Sequence, residues 1–139
     1  MSDLVITAAN VQAGSATAVT ENGTAGEAII AGQAVYYDAA TRTYGLAKSN
    51  GASATIRTAW GIALNSAASG QPLRVLKAGS LTLGAVLTAG QLYVLSGAAA
   101  GGIAPVGDLA TGWYTATLGI AQTSSSLLVG ILNGATAHA

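Results

Sequence analysis

General acid–base work and hydrolysis need two or three titratable groups brought together, and this chain has few to bring: Asp3, Glu21, Glu27, Asp38, Asp108 and one histidine, His138. His138 is the penultimate residue of an Ala/Thr tail, where a frayed terminus is a simpler reading than a base or a ligand. Without it no Ser/His/acid triad can be assembled. The five acids are scattered among turns and segment starts, so each reads as a solvated residue. Their spacing offers no carboxylate cluster for calcium, and there is no histidine pair for zinc. The absence of cysteine removes disulfides and thiolate metal sites. The Gly-rich stretch Gly97-Ala98-Ala99-Ala100-Gly101-Gly102 lacks both the Lys-Ser/Thr of a P-loop and the spacing of a dinucleotide fingerprint, and reads as a flexible turn. Asn22-Gly23-Thr24 matches a glycosylation sequon, incidental in the absence of a signal peptide. The inventory predicts no enzyme, no cofactor and no metal.

With chemistry set aside, the composition bounds the kind of partner. A chain of 139 residues fits one domain. Half of it is hydrophobic and its net charge is zero, the reverse of a disordered composition. Five basic residues balanced by five acidic ones leave no basic stripe for phosphates, so nucleic acid is not expected. Partners must then be met through apolar surface. The start, Met1-Ser2-Asp3-Leu4, lacks the features of a secretory signal, which predicts cytoplasmic synthesis. The uncharged stretch from Lys77 to Asp108 is long enough to span a bilayer. It is interrupted by Thr82, Thr88, Gln91 and Ser96 and by frequent Gly, so no membrane span is expected.

The elements are read from an internal repeat. Ala28 to Tyr37 lies on Val86 to Leu95 without a gap at an offset of 58, with Ala-Gly-Gln coinciding, and Gly61-Ile62-Ala63 falls on Gly119-Ile120-Ala121 at the same offset. Arg74 to Gly79 resembles Val129 to Gly134 once a few loop residues are deleted. Two β-units follow, 27–83 and 84–134, inside one β-domain over 27–139. Period-2 alternation places Ile56, Thr58, Trp60, Ile62 and Leu64 on one strand face, and Tyr114, Ala116, Leu118 and Ile120 on the matching face of the second copy. Further strands are expected at 33–37, 43–47, 72–77, 79–83, 91–95 and 126–132, separated by turn clusters. The fold class is all-β: a small β-sandwich or β-barrel built from two similar β-units. Residues 1–26, with Leu4, Val5, Ile6, Val11 and Val19 as their only larger apolar anchors, read as an extended N-terminal arm that pairs with a neighbouring chain, or as a first strand of the same sheet. In repeat register Trp60 falls on Leu118, a core position, whereas Trp113 falls on Thr55, on the opposite face. Trp113 is therefore expected to meet a neighbour or to cover loops of its own chain.

The strand starts Gly32-Gln33-Ala34-Val35-Tyr36 and Gly90-Gln91-Leu92-Tyr93, with Gly61-Ile62-Ala63 and Gly119-Ile120-Ala121, resemble those of the small capsid cement or decoration proteins of tailed bacteriophages. The resemblance covers roughly 24–134. It implies a structural virion protein that binds the major capsid protein on the outer surface of an icosahedral shell and stabilises it, commonly as a homotrimer. Charge asymmetry points the same way: 84–139 carries Asp108 alone among charged residues, a surface that calls for burial in a homo-oligomer or on a shell. Leu4, Val5, Ile6, Val11 and Trp113 are the candidate interface residues. The alternatives are another virion part, such as a head fibre base or tail component, or a carbohydrate-binding adhesin module with Trp113 and the tyrosines as stacking platforms.

Overall fold

Short runs of Val, Ile, Leu, Tyr and Thr cut by Gly, Ser and Asn favour extended backbone and tight turns, and the chain folds as an all-β domain. The computed structural model describes residues 3–14 and 18–137; His138 lies outside them. The strands are β1 (Gln12–Ala13), β2 (Val19–Thr24), β3 (Ala34–Asp38), β4 (Thr43–Leu46), β5 (Gly61–Ala63), β6 (Pro72–Thr82), β7 (Leu92–Leu95), β8 (Ile103–Pro105), β9 (Tyr114–Ala121) and β10 (Ser126–Ala137), with one α-helical turn, α1 (Ala54–Arg57), and 3-10 turns at Ala8–Asn10 and Val106–Asp108. They form a curled antiparallel sheet, a half-barrel, in the order β4-β3-β5-β6-β10-β9-β7-β8, with β1 and β2 also paired to β6. No helix among the described residues is long and apolar enough to cross a membrane.

The two units are one hydrogen-bonding pattern used twice. In the first, Ala34 pairs with Ile62 and Val35 with Gly61; in the second, Leu92 pairs with Ile120 and Tyr93 with Gly119. The Ala-Gly-Gln motif is the hinge of each. Gln33 N–H donates to Ile30 O at 3.1 Å and Gln91 N–H to Thr88 O at 3.0 Å, closing turns whose third residues, Gly32 (φ 94°) and Gly90 (φ 84°), have the positive φ of a type II turn. Gly32 N–H then donates to Ala63 O, and Gly90 N–H to Ala121 O, both at 2.8 Å. Ile62 faces Leu76 as Ile120 faces Leu128. Leu76 and Leu128 are 52 positions apart, so the last strand of the second unit aligns three residues away from the match of Arg74 with Val129 that sequence similarity suggests.

Three sequence expectations are corrected, and the N-terminal segment follows the second of its two readings. The stretch 55–64 is not one strand: Ser53 caps α1, its Oγ accepting from Ile56 N–H at 3.4 Å, and extended pairing begins only at Gly61. The runs 72–77 and 79–83 are a single strand, bulged where Thr20 pairs with Leu76 but Val19 with Ala78. Gly79 sits beside that bulge at φ 110°, where a Cβ would lie 2.8 Å from the Ala18 Cα. Ile120 does not share the buried face of Ala116 and Leu118, because the β7–β9 register shifts between Tyr93 and Val94 and turns Ile120 outward. The segment described from Asp3 onward is laid along its own chain: Leu4 N–H donates to Ile103 O at 2.8 Å, Thr7 N–H to Gly84 O at 2.7 Å, and β1 and β2 both extend the sheet at β6.

Two buried clusters result. The larger fills the concave side and includes Val11, Ala34, Ile62, Leu76 and Leu81 together with Tyr93, Leu95, Leu118, Ala121, Leu127 and Val129. The smaller lies on the other side of the first unit, where Val35, Ala63, Leu73 and Val75 are covered by Ala25, Ile29, Tyr44 and Ala67.

Candidate functional site

Neighbouring residues on a strand point to opposite faces, so the shared register allows the units to be compared side chain by side chain. In the first unit Ala34, Ile62 and Leu76 face the concave core, and all are fully buried. Their register equivalents, Leu92, Ile120 and Leu128, lie on the convex side; Ile120 is 50% exposed and Leu128 47%. Leu132, beyond a register shift in β10 that follows Val129, is 73% exposed. Leu92, Gly119, Ile120, Leu128 and Gly130 line a shallow cleft of about 350 Å³. A Cβ placed on Gly130 would touch nothing within 4 Å. None of these residues carries charge, so this is an apolar sheet face that nothing among the described residues covers. Sequence alternation misses it by assigning Ile120 to the core. The available signal was β10 itself: Leu127-Leu128-Val129 followed by Ile131-Leu132 is apolar on both faces, as strands covered on both sides are.

A second region gathers two aromatic donors and a lysine around Glu21 on β2. Tyr44 Oη and Trp60 Nε1 both donate to Glu21 Oε1, the latter at 3.0 Å, while Lys77 Nζ stands 3.8 Å from Oε2 and 3.9 Å above the Trp60 ring. Tyr37 packs between, its ring centroid 5.3 Å from Tyr44 and 5.4 Å from Trp60. The Tyr44 hydrogen bond holds the Glu21 carboxyl below the usual carboxylate range against an opposing effect of burial, with Trp60 and Lys77 adding to it. Burial, and then the Glu21 carboxylate, push the Tyr44 hydroxyl well above its ordinary range. The carboxylate is thus satisfied as an ion, and the group ties β2, β4, β6 and Trp60 together.

Beside this cluster, Tyr37, Thr55, Thr58 and Trp60 line a groove of about 260 Å³, and across Ala54 and Thr58 a second groove of about 330 Å³ is lined by Arg57, Tyr114 and Asn133. The Arg57 guanidinium lies 3.9 Å over the Tyr114 ring. Asn133 donates to Ala59 O at 3.0 Å and accepts from Ala59 N–H at 2.9 Å, so β10 clamps the approach to β5. Among the described residues no three His, Cys, Asp or Glu come together in a way that could hold a metal ion.

The five residues singled out from sequence are not brought together. Val11 is buried in its own core, and Leu4 and Ile6 pack against that core. Their side chains are already used within the chain, because the segment carrying them runs along β6 and the strand ends rather than away from the domain. Val5 alone is free, 87% exposed, on the rim of a cleft of about 600 Å³ shared with Thr7, Asn10, Gln12 and Val86. Trp113 covers its own chain: a Cβ on Gly97 would lie 2.4 Å from the Trp113 Cε2, so the indole rests directly on the Gly97 backbone. Trp60, expected in the core, is half-buried, its ring packed on the smaller cluster and its N–H turned to Glu21. Comparison of the chain with protein-family models, with curated proteins and with solved structures finds no match.

Proposed function

We propose that this chain is a structural virion protein that binds the outer surface of an icosahedral phage capsid, meets the major capsid protein there and stabilises the shell as a homo-oligomer, without catalysis and without contact with nucleic acid or membrane. The observation that carries the reading is the uncharged convex face of β9 and β10, with Ile120, Leu128 and Leu132 in water. An apolar face of this kind on a chain with little surface charge favours assembly. The resemblance of the Gly-Gln and Gly-Ile-Ala strand starts supplies the kind of assembly, a decorated shell with three copies grouped together. The test is co-sedimentation of the purified chain with capsids of the phage whose structural genes flank its own. Saturable binding and a raised shell disruption temperature are expected, and a chain that stays in the supernatant overturns the reading.

The carbohydrate-binding alternative is favoured by the pair of grooves lined by Tyr37, Trp60 and Tyr114. It is the weaker reading, because Lys77 and Arg57 already lie over the Trp60 and Tyr114 rings where a sugar would stack. Quenching of tryptophan emission by chitotriose or maltotriose would favour it over shell binding.

A further inference from the structure

The first unit shows what covers a sheet face of this type. Ala34, Ile62 and Leu76 are buried in one cluster with residues of the second unit's sheet, among them Tyr93, Ala121 and Leu127. The same face of the second unit, Leu92, Ile120 and Leu128, has no sheet against it among the described residues. The other faces are taken: Val35, Ala63 and Val75 lie under Ala25, Ile29 and Ala67, and Tyr93, Ala121 and Leu127 are in the core. Of these sheet faces, the one that another copy leaves open is this same face.

The face also carries both halves of a fit. Leu132 projects from β10 with most of its side chain in water. Two residues back on the same strand, Gly130 opens the cleft of about 350 Å³ between Ile120 and Leu128, where an added side chain would meet nothing within 4 Å. Absence of charge means that two such faces meet without like-charge repulsion or stranded ions. We infer that the convex face of β9 and β10 is covered by the same face of another copy of this chain, the Leu132 of one copy seated in the Gly130 cleft of its neighbour. This rests on the assembly reading above and names its first partner. The contact closes reciprocally between two copies or head to tail around a ring.

Light scattering on the full chain at micromolar concentration tests it. The wild-type protein is expected as a closed oligomer. Leu132→Asp, which puts a charge on the projection, and Gly130→Trp, which fills the cleft, are each expected to give monomers with native circular dichroism. Leu132→Ser replaces the first variant should that one fail to fold. Val86→Asp, 86% exposed at a different cleft, is expected to keep the oligomeric mass. A monomeric wild type, or an oligomer that survives the Leu132 and Gly130 substitutions, overturns the inference. Capsid co-sedimentation separates this from the functional reading: a monomer that binds shells overturns only the self-contact, and an oligomer that ignores shells overturns only the decoration role.

Discussion

Ile62 and Ile120 hold the same position in their units, each at the centre of a Gly-Ile-Ala strand and each paired across the sheet with a leucine. One is fully buried and the other half in water. Hydrogen-bonding register is a local property, fixed by the Gly-Gln turn and the ladder beside it, and it repeats faithfully. Burial depends on what lies over the face, and that does not repeat. The first unit has the second unit's sheet on one side and residues 25–31 with Ala67 on the other. Among the described residues the second unit has a core on one side only. A repeat can therefore preserve a fold and still leave one copy with a surface the other lacks, which is where an assembly contact can arise without a new element.

The largest effect that would sharpen this comparison comes from removing the cover. Residues 3–14 and 19–24 pair with β6 and the strand ends, and Val11 is a core residue. Deleting residues 1–26 is expected to abolish cooperative unfolding rather than merely to release an appendage. A sharp thermal transition in the truncated chain would mean that the segment is dispensable to the fold.

Next comes the matched pair of leucines. Leu76→Ala empties a fully buried site and should cost about 2–5 kcal/mol, the range for large-to-small core changes. Leu128→Ala, at the equivalent position on the open face, should change the stability of the monomer by no more than about 0.5 kcal/mol. Urea denaturation in the Leu132→Asp background, where self-contact is removed, measures both. Equal costs would show that the two faces are covered alike.

A smaller effect concerns the charged cluster that Glu21 forms against the first unit, where the second unit has Asp108 as its one charged residue. Tyr44→Phe keeps the buried ring and removes its hydroxyl from Glu21, at a cost of about 1.5–3 kcal/mol for a hydrogen bond to a charged group, toward the lower end because solvent reaches the carboxylate. Glu21 is held below its ordinary value of 4.5 in the folded protein, so its contribution is fully present above that value and is lost as the pH falls through the depressed folded value. Glu21→Gln should flatten this part of the acid-unfolding profile. An unchanged profile would mean that the carboxylate is as well solvated folded as unfolded.

How far the sequence carried the fold follows from the same division between local and non-local causes. The Gly-Gln turns, the Gly-Ile-Ala strands and the alternation through Ala116 and Leu118 are local patterns and were legible. The helical turn at Ala54–Arg57 was masked by its alternating Thr55, Ile56, Arg57 and Thr58, and what fixes it is the Ser53 cap, with Arg57 drawn onto Tyr114, a contact between distant parts of the chain. The exposure of Ile120 depends on a shift of register between β7 and β9, invisible to a period-2 reading of either strand. Glu21, Tyr44, Trp60 and Lys77 come from four separate segments, so their meeting around one carboxylate left no spacing to read.

The smallest effect is the most discriminating, because it compares one motif in its two settings. Gly32 and Gly90 have the same turn geometry, and alanine at either must accept a left-handed backbone at about 1–2 kcal/mol. At Gly90 the new methyl meets nothing within 4 Å, so backbone strain is the whole cost. At Gly32 it would come within 2.6 Å of the Ile6 Cγ2 and 3.1 Å of the Val11 Cγ2, the side chains that the N-terminal segment lays over the turn. Gly32→Ala should then exceed Gly90→Ala by about 1 kcal/mol, the low end for overpacking because the facing atoms are methyl groups at the ends of side chains. Ile6→Ala removes the nearer obstacle, so the double variant Ile6→Ala/Gly32→Ala should be more stable than the sum of the single changes predicts, while Ile6→Ala/Gly90→Ala should be additive. Additivity in both cycles would show that the segment carrying Ile6 does not rest on the Gly32 turn in solution.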